Sequence, residues 1–207
     1  IADGDPETLT HKNEDVEKTF SKTTFSTSTD TARPALTGVL IKKDKDQGGD
    51  LLLVATDGYR LSLVKKTLGE KEKGAKKSPK DFSLLVPSRV IREAILMSKD
   101  GMGEIKIFVS MEKNQIMFCK NETILVGRLI EAEYPLYEKI IPVDYSTKTV
   151  FDHMEIKNAV KACYIFARET ANIVKLSVLK DRIIVSANAP SIGENAIVGA
   201  GSVVTKN

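Results

Sequence analysis

Hydrophobic and polar positions along this chain switch between two periods, and the switches mark out its elements. Residues 13–24 set Val16 and Phe20 one helical turn apart, with Asn13 and Asp15 near the start, which predicts a first helix. Short apolar runs follow. Residues 34–41 and 51–64 predict strands, the second of them entered through the polar loop 42–50 with its Gly48 and Gly49. Inside that second stretch Asp57-Gly58 is a turn signal, because glycine accepts positive φ and aspartate bonds its own neighbouring backbone. Beyond the turn Tyr59, Leu61 and Leu63 alternate with Arg60, Ser62 and Val64, the pattern of a strand with one half-buried face.

Residues 65–80 hold seven lysines with Gly69 and Gly74, too polar a stretch to pack, and Glu70 and Glu72 partly offset its charge. A strand over 82–86 then runs into Pro87-Ser88, which opens a second helix reaching about residue 98. Residues 105–110, 115–120 and 123–130 predict three further strands, giving an α+β pattern. Around 142–148 the chain breaks into polar turn residues and the pattern begins again. Ile156, Ala159, Val160, Cys163, Phe166 and Ala167 recur at helical spacing, followed by predicted strands at 173–179 and 182–187. Helix, strand, turn and strand thus occur twice, roughly 130 to 140 residues apart, the mark of an internal repeat.

Composition narrows the chemistry. The 207 residues are 42% hydrophobic and 29% charged, as in an ordinary soluble globular protein, and no apolar stretch approaches a membrane span. The chain is expected to be cytoplasmic. With a net charge of only +3, contact with nucleic acid has to come from local patches. Three predicted helices carry such patches. Lys157, Lys161, Tyr164 and Arg168 recur along the helix over 156–169, beside an apolar stripe of Ile156, Val160, Cys163 and Ala167. Arg89, Arg92 and Lys99 share a face of the second helix, as do Lys18 and Lys22 on the first. Cys119 and Cys163 form neither a disulfide framework nor a metal-ligand spacing, and His11 and His153 are isolated. Walker-type phosphate loops, dinucleotide fingerprints and nucleophile elbows are all missing from the sequence. No cofactor, metal or catalytic residue is expected.

Several motifs, in order, carry a family resemblance. Arg33-Pro34-Ala35-Leu36-Thr37-Gly38 precedes Ala55-Thr56-Asp57-Gly58-Tyr59-Arg60-Leu61. Next come Leu85-Val86-Pro87 at a helix start, Lys113-Asn114-Gln115-Ile116-Met117-Phe118, and Arg128-Leu129-Ile130-Glu131-Ala132-Glu133-Tyr134-Pro135-Leu136-Tyr137. The set, spanning residues 30–142, resembles the middle domain of the bacterial DNA polymerase III sliding clamp. In the last motif Leu136 stands where the family commonly has aspartate.

The resemblance implies repeated domains in which helices cover one face of antiparallel sheets. It divides the chain into a polar segment, partly linker, at 1–12, a middle-domain unit at 13–147, part of a third domain at 148–191 and an atypical tail at 192–207. The first domain of the clamp is expected to lie outside this sequence, which starts at Ile1. Clamps are non-catalytic processivity factors, ring-shaped head-to-tail homodimers that encircle duplex DNA and tether the replicative polymerase. Their peptide-binding cleft, which takes short hydrophobic motifs from polymerase subunits, the clamp loader and repair proteins, is implied here at Leu36, Thr56, Gly58, Tyr59, Arg60, Leu61, Pro135, Lys139 and Ile140. The resemblance likewise turns the helix stripes, Lys18, Lys22, Arg89, Arg92, Lys99, Lys157, Lys161 and Arg168, toward DNA phosphates, with Arg33 as a further contact.

The tail departs from this pattern. Ile192, Val198 and Val204 recur every six residues, a spacing that resembles the left-handed parallel β-helix of hexapeptide-repeat acyltransferases. Under three periods are present, too few for a stable solenoid. A truncated or chimeric chain with an acyltransferase tail is the alternative expectation.

Overall fold

The computed structural model describes residues 7–43, 51–66, 82–99, 103–168, 172–180, 182–189, 193–202 and 204–206. Most of the loops expected at 42–50 and 65–80 lies outside the described residues. Packing divides the chain into two compact units, Ile1–Leu136 and Tyr137–Asn207.

In the first unit, β1 (Glu7–Lys12) leads into α1 (Asn13–Thr24), and a 3-10 turn (Pro34–Thr37) leads into β2 (Gly38–Lys43). Then come β3 (Leu51–Thr56), β4 (Leu61–Lys66), β5 (Phe82–Pro87), α2 (Ser88–Lys99), β6 (Glu104–Ser110), β7 (Gln115–Lys120) and β8 (Thr123–Arg128). The strands form two antiparallel sheets, ordered β1-β6-β7-β8 and β4-β3-β2-β5. Both sheets and both helices meet in one core. Val16 and Phe20 of α1 and Ile91 and Ala94 of α2 pack with Val39, Ile41, Leu53 and Val86 of one sheet and Ile107, Ile116 and Phe118 of the other. Phe118 is fully buried and meets Phe20 edge to face, with centroids 6.3 Å apart, a geometry worth about 0.5–1.5 kcal/mol beyond simple burial. At the end of α2, Lys120 Nζ donates to the Met97 carbonyl at 2.9 Å, placing a cation on the negative pole of the helix.

Strands β3, β2 and β5 of the sheet β4-β3-β2-β5 are buried on both faces, whereas β4 leaves Leu63 exposed. Side chains alternate along a strand, so Leu40, Val54 and Leu85, each flanked by two residues of the shared core, point away from it, yet all three are buried. After β8, Leu129 joins the shared core and Ile130 turns to this outer face. Ile130 donates its N–H to the Leu85 carbonyl at 2.8 Å, and its Cδ1 reaches to Gly38. A Cβ on Gly38 would lie 2.8 Å from that atom and 2.9 Å from the Val86 carbonyl oxygen, so the contact closes only over glycine.

Three expectations change on the structure. Residues 7–12, assigned to a polar linker, are the edge strand β1, with Leu9 opposite Ile107 of β6; the alternating E-T-L-T-H-K is too short to signal a strand, and the pairing comes from tertiary context. The strand expected from residue 34 starts only at Gly38, because Pro34 sets a 3-10 turn in which the Thr37 hydroxyl donates to its carbonyl at 2.8 Å. Sequence patterning ends the first unit at residue 147, whereas packing ends it at Leu136. Residues 138–148 are exposed and join neither core, which explains the gap between the two boundaries.

The second unit repeats the order of the first. β9 (Lys148–Val150) precedes α3 (His153–Ala167), β10 (Lys175–Val178), β11 (Arg182–Ala189) and β12 (Gly193–Ser202), with β13 (Val204–Lys206) paired to β9. The strands β10-β11-β12 are consecutive antiparallel neighbours, as β2-β3-β4 are in the first unit. Asp152 caps α3, its carboxylate accepting from the N–H groups of Met154 at 2.8 Å and Glu155 at 2.9 Å. Ala159, Cys163 and Ala167 of the expected stripe pack on Ile183, Val185 and Ala187. The tail corrects the acyltransferase reading, because β12 and β13 pair antiparallel with β11 and β9 and are not coils of a parallel β-helix.

Gly38→Ala is expected to lower the stability of the chain by about 1–3 kcal/mol, as overpacking of a closed core does. Urea unfolding followed by circular dichroism checks this.

Candidate partner-binding turn and helix faces

Strand β3 ends at Thr56 and β4 begins at Leu61, and the turn between them is held almost entirely by its own polar groups. The buried Thr56 hydroxyl donates to the Arg60 carbonyl at 2.7 Å and accepts from the Gly58 N–H at 3.1 Å. One oxygen of Asp57 accepts from the N–H groups of Tyr59 at 2.9 Å and Arg60 at 3.0 Å, while the other takes the Arg60 Nε at 2.9 Å. Gly58 has φ +95°, a conformation that side-chain-bearing residues rarely adopt. The Arg60 backbone N–H above all, with that of Tyr59 and the guanidinium, holds the Asp57 carboxyl below the usual range against the opposing effect of burial.

This rigid frame presents Tyr59, which is 96% exposed, and Arg60 to solvent, with Leu61 half-buried below them. The Arg60 guanidinium lies over the ring of Phe25, 5.7 Å from its centroid. Just past the end of α1, Phe25 is itself 57% exposed. A hydrogen bond from the Ser62 hydroxyl to the Lys22 carbonyl ties that helix end to β4. Arg33, expected as a phosphate contact, stands at this turn, with its Nη1 3.3 Å from where a Cβ on Gly58 would be. Its Nε pairs with Asp30 at 3.0 Å, and the Ala32 N–H and then Arg33 hold the Asp30 carboxyl below its ordinary range.

The remaining cleft residues are distributed unevenly. Leu36 is buried under the 3-10 turn, and its carbonyl accepts from the Ser28 N–H at 2.8 Å. Pro135 is exposed on the segment after β8, next to the partly buried Tyr134. Burial pushes the Tyr134 phenol up to about 12, with the nearby Thr56 backbone pulling the other way. Lys139 and Ile140 are exposed and belong to the second unit. The structure therefore brings Leu36, Thr56, Gly58, Tyr59, Arg60, Leu61 and Pro135 into one unit. Asp57 and Tyr134 stand in the motifs but were not assigned to the cleft, and Phe25 was not singled out. Asp57 was visible as a turn former, whereas nothing near Phe25 in the sequence signals its approach to Arg60.

The basic stripes are exposed. Lys18 and Lys22 on α1 and Arg89, Arg92 and Lys99 on α2 lie on two helices packed against each other, with Lys99 bridging to Glu17 of α1 at 3.5 Å. Lys157, Lys161 and Arg168 are exposed on or just after α3. Among the described residues no group of three or more His, Cys, Asp or Glu side chains is placed to hold a metal ion, and no helix is long and apolar enough to cross a membrane.

Replacing Asp57 by alanine is expected to lower stability at neutral pH by about 1 kcal/mol, the usual cost of deleting a side chain that caps backbone N–H groups. Because the folded-state pKa of Asp57 is depressed below the ordinary 3.8, its contribution is complete above roughly pH 5 and is lost as pH falls through the lower folded value. The difference in melting temperature between wild type and Asp57→Ala should therefore narrow with acidification; a gap that is constant from pH 7 to pH 3 contradicts this.

Relatives place this geometry. The family model for the DNA polymerase III beta subunit, central domain, matches residues 10–136. The beta sliding clamp of Streptococcus pneumoniae serotype 4 is 30% identical over 180 residues, covering 86% of this chain and 45% of that protein. Its counterpart from Staphylococcus aureus strain Mu50 is 29% identical over 177 residues, covering 84% and 43%. The crystal structure of the beta subunit from the DNA polymerase of Streptococcus pyogenes matches at TM-score 0.84 and 25% identity, over 100% of this chain and 52% of that one. This chain thus spans about half the length of the relatives it matches. With the paired sheets, the two packed helices and the Ala55–Leu61 run all inside the matched segment, the chain belongs to the DNA polymerase III beta subunit family.

Proposed function

We propose that this chain serves as part of a sliding clamp, a processivity factor that encircles duplex DNA and tethers the replicative polymerase in the cytoplasm. The observation that carries the reading is the pre-formed turn 56–61, which holds an exposed tyrosine and arginine above a half-buried leucine on a rigid strand end. Interfaces concentrate their energy in such aromatic and arginine anchors. Leu36, Thr56, Gly58, Tyr59, Arg60, Leu61 and Pro135 of the first unit form the surface that receives short hydrophobic motifs from polymerase, clamp loader and repair proteins, and the family pattern adds Lys139 and Ile140, which are exposed on the second unit. The position of Arg33 beside Gly58 favours a place in the same cleft over a role as a separate phosphate contact.

Duplex DNA is the second partner. Exposed basic residues of each unit, Lys18, Lys22, Arg89, Arg92 and Lys99 in the first and Lys157, Lys161 and Arg168 in the second, meet phosphates without reading bases. In the full-length clamp the ring is a head-to-tail homodimer. Tethering raises the polymerase's effective concentration at the primer end, so that dissociation rarely ends synthesis. The chain supplies position, and the bond-forming chemistry belongs to its partner.

Titration of a fluorescent peptide of the Q-x-x-L-F type should show saturable binding, weakened on the order of ten-fold by Tyr59→Ala with Leu61→Ala, as loss of anchor residues implies. Absence of binding to the folded chain, or binding indifferent to that double substitution, rejects the cleft. For DNA, reversing Lys157, Lys161 and Arg168 to glutamate should flatten the dependence of log affinity on log salt by about 0.9 for each lost phosphate contact. An unchanged slope removes α3 from the DNA face.

A further inference from the structure

Arg60 is oriented from two sides. Asp57 Oδ2 accepts from its Nε at 2.9 Å, and the Phe25 ring lies beneath the guanidinium carbon at 5.7 Å. Both supports are themselves fixed, Asp57 by two backbone N–H groups and the end of α1 by the hydrogen bond from Ser62 to the Lys22 carbonyl. A guanidinium has five N–H donors, and only the Nε donor is used here. Among the described residues no acceptor lies within hydrogen-bonding range of the two Nη groups. A long side chain that normally loses rotamer freedom on binding is thus already ordered, with the planar fork suited to a carboxylate facing outward.

On this basis we infer that Phe25 is a positioning residue of the cleft, which together with Asp57 holds Arg60 to take a carboxylate borne by the incoming peptide. The inference rests on the cleft reading above and adds a charge preference to it: the partners favoured at this site carry an acidic residue beside their hydrophobic motif. With Arg33 paired to Asp30 and Arg60 to Asp57, the exposed Lys22 at the end of the neighbouring helix leaves the surroundings of the turn positive, which supports that class. A peptide fits better than duplex DNA. Exposed Phe25 against the guanidinium, with the exposed Tyr59 next in the chain, offers apolar area that a duplex phosphate backbone does not use.

The test is a binding titration with Q-x-x-L-F peptides carrying a single glutamate walked along the flanking positions, compared with the uncharged parent. Wild type should bind the parent and gain affinity from glutamate at one position. Phe25→Leu keeps an apolar side chain but loses the ring face. It should retain parent binding and lose about two- to five-fold of the gain, the range expected for a cation–π contact at an exposed site. Arg60→Gln should lose the gain completely, and Phe25→Trp should restore it. Phe25 is more than half exposed, so the melting temperature should stay unchanged in both Phe25 variants. A glutamate that helps at no position, or a gain undiminished by Phe25→Leu, overturns the inference while leaving the cleft intact. Phe25→Leu weakening a single-stranded oligonucleotide but no peptide also overturns it and assigns the surface to nucleic acid. Failure of wild type to bind any peptide overturns the cleft reading and this inference with it.

Discussion

Burial of strands β3, β2 and β5 on both faces is the constraint on which the rest of the first unit depends. A strand whose neighbouring residues both have to leave water cannot stop at a single core. Val39, Ile41, Leu53 and Val86 are covered by the helices and the second sheet, while Leu40, Val54 and Leu85 need a second cover. Ile130 supplies part of it after β8, its Cδ1 and that of Leu85 reaching Gly38 so closely that only glycine fits at position 38. At about 25 cal/mol per Å2 of apolar surface removed from water, leaving three large aliphatic side chains uncovered would cost several kcal/mol. This is a large share of a domain's net stability.

That second cover also sets the end of β3. Thr56 is the last residue of the strand, and its hydroxyl and the Asp57 carboxylate organise the turn without help from a distant loop. The strand end is rigid because the sheet is clamped, and the turn is rigid because its backbone donors are satisfied locally. Exposed Tyr59 and Arg60 then project from a frame that loses little entropy when a partner arrives. The geometry of this surface depends on packing that lies several residues beneath it.

How much of this was legible in the sequence follows the range of the interactions. Local signals carried the helices over 13–24, 88–99 and 153–167 to within a few residues, since amphipathic spacing and the Pro87-Ser88 start act over single turns. The Asp57-Gly58 turn was legible for the same reason. Strand β1 was not, because Glu7–Lys12 is a strand through its pairing with β6, nearly a hundred residues away. The tail misled in the opposite direction: its six-residue period fits a β-helix, but β11 and β9 were available as antiparallel partners. The individual residues of the candidate cleft came from motif order, whereas the contact between Phe25 and Arg60 is a product of tertiary packing and had no counterpart in the spacing.

The segment that brings Ile130 to the outer face is also the last stretch of the first unit, and this has a mechanical consequence. Tyr134 is partly buried, and two residues later the chain leaves the unit. Any pull on the chain at Leu136 therefore reaches a packed side chain of the first unit within two residues.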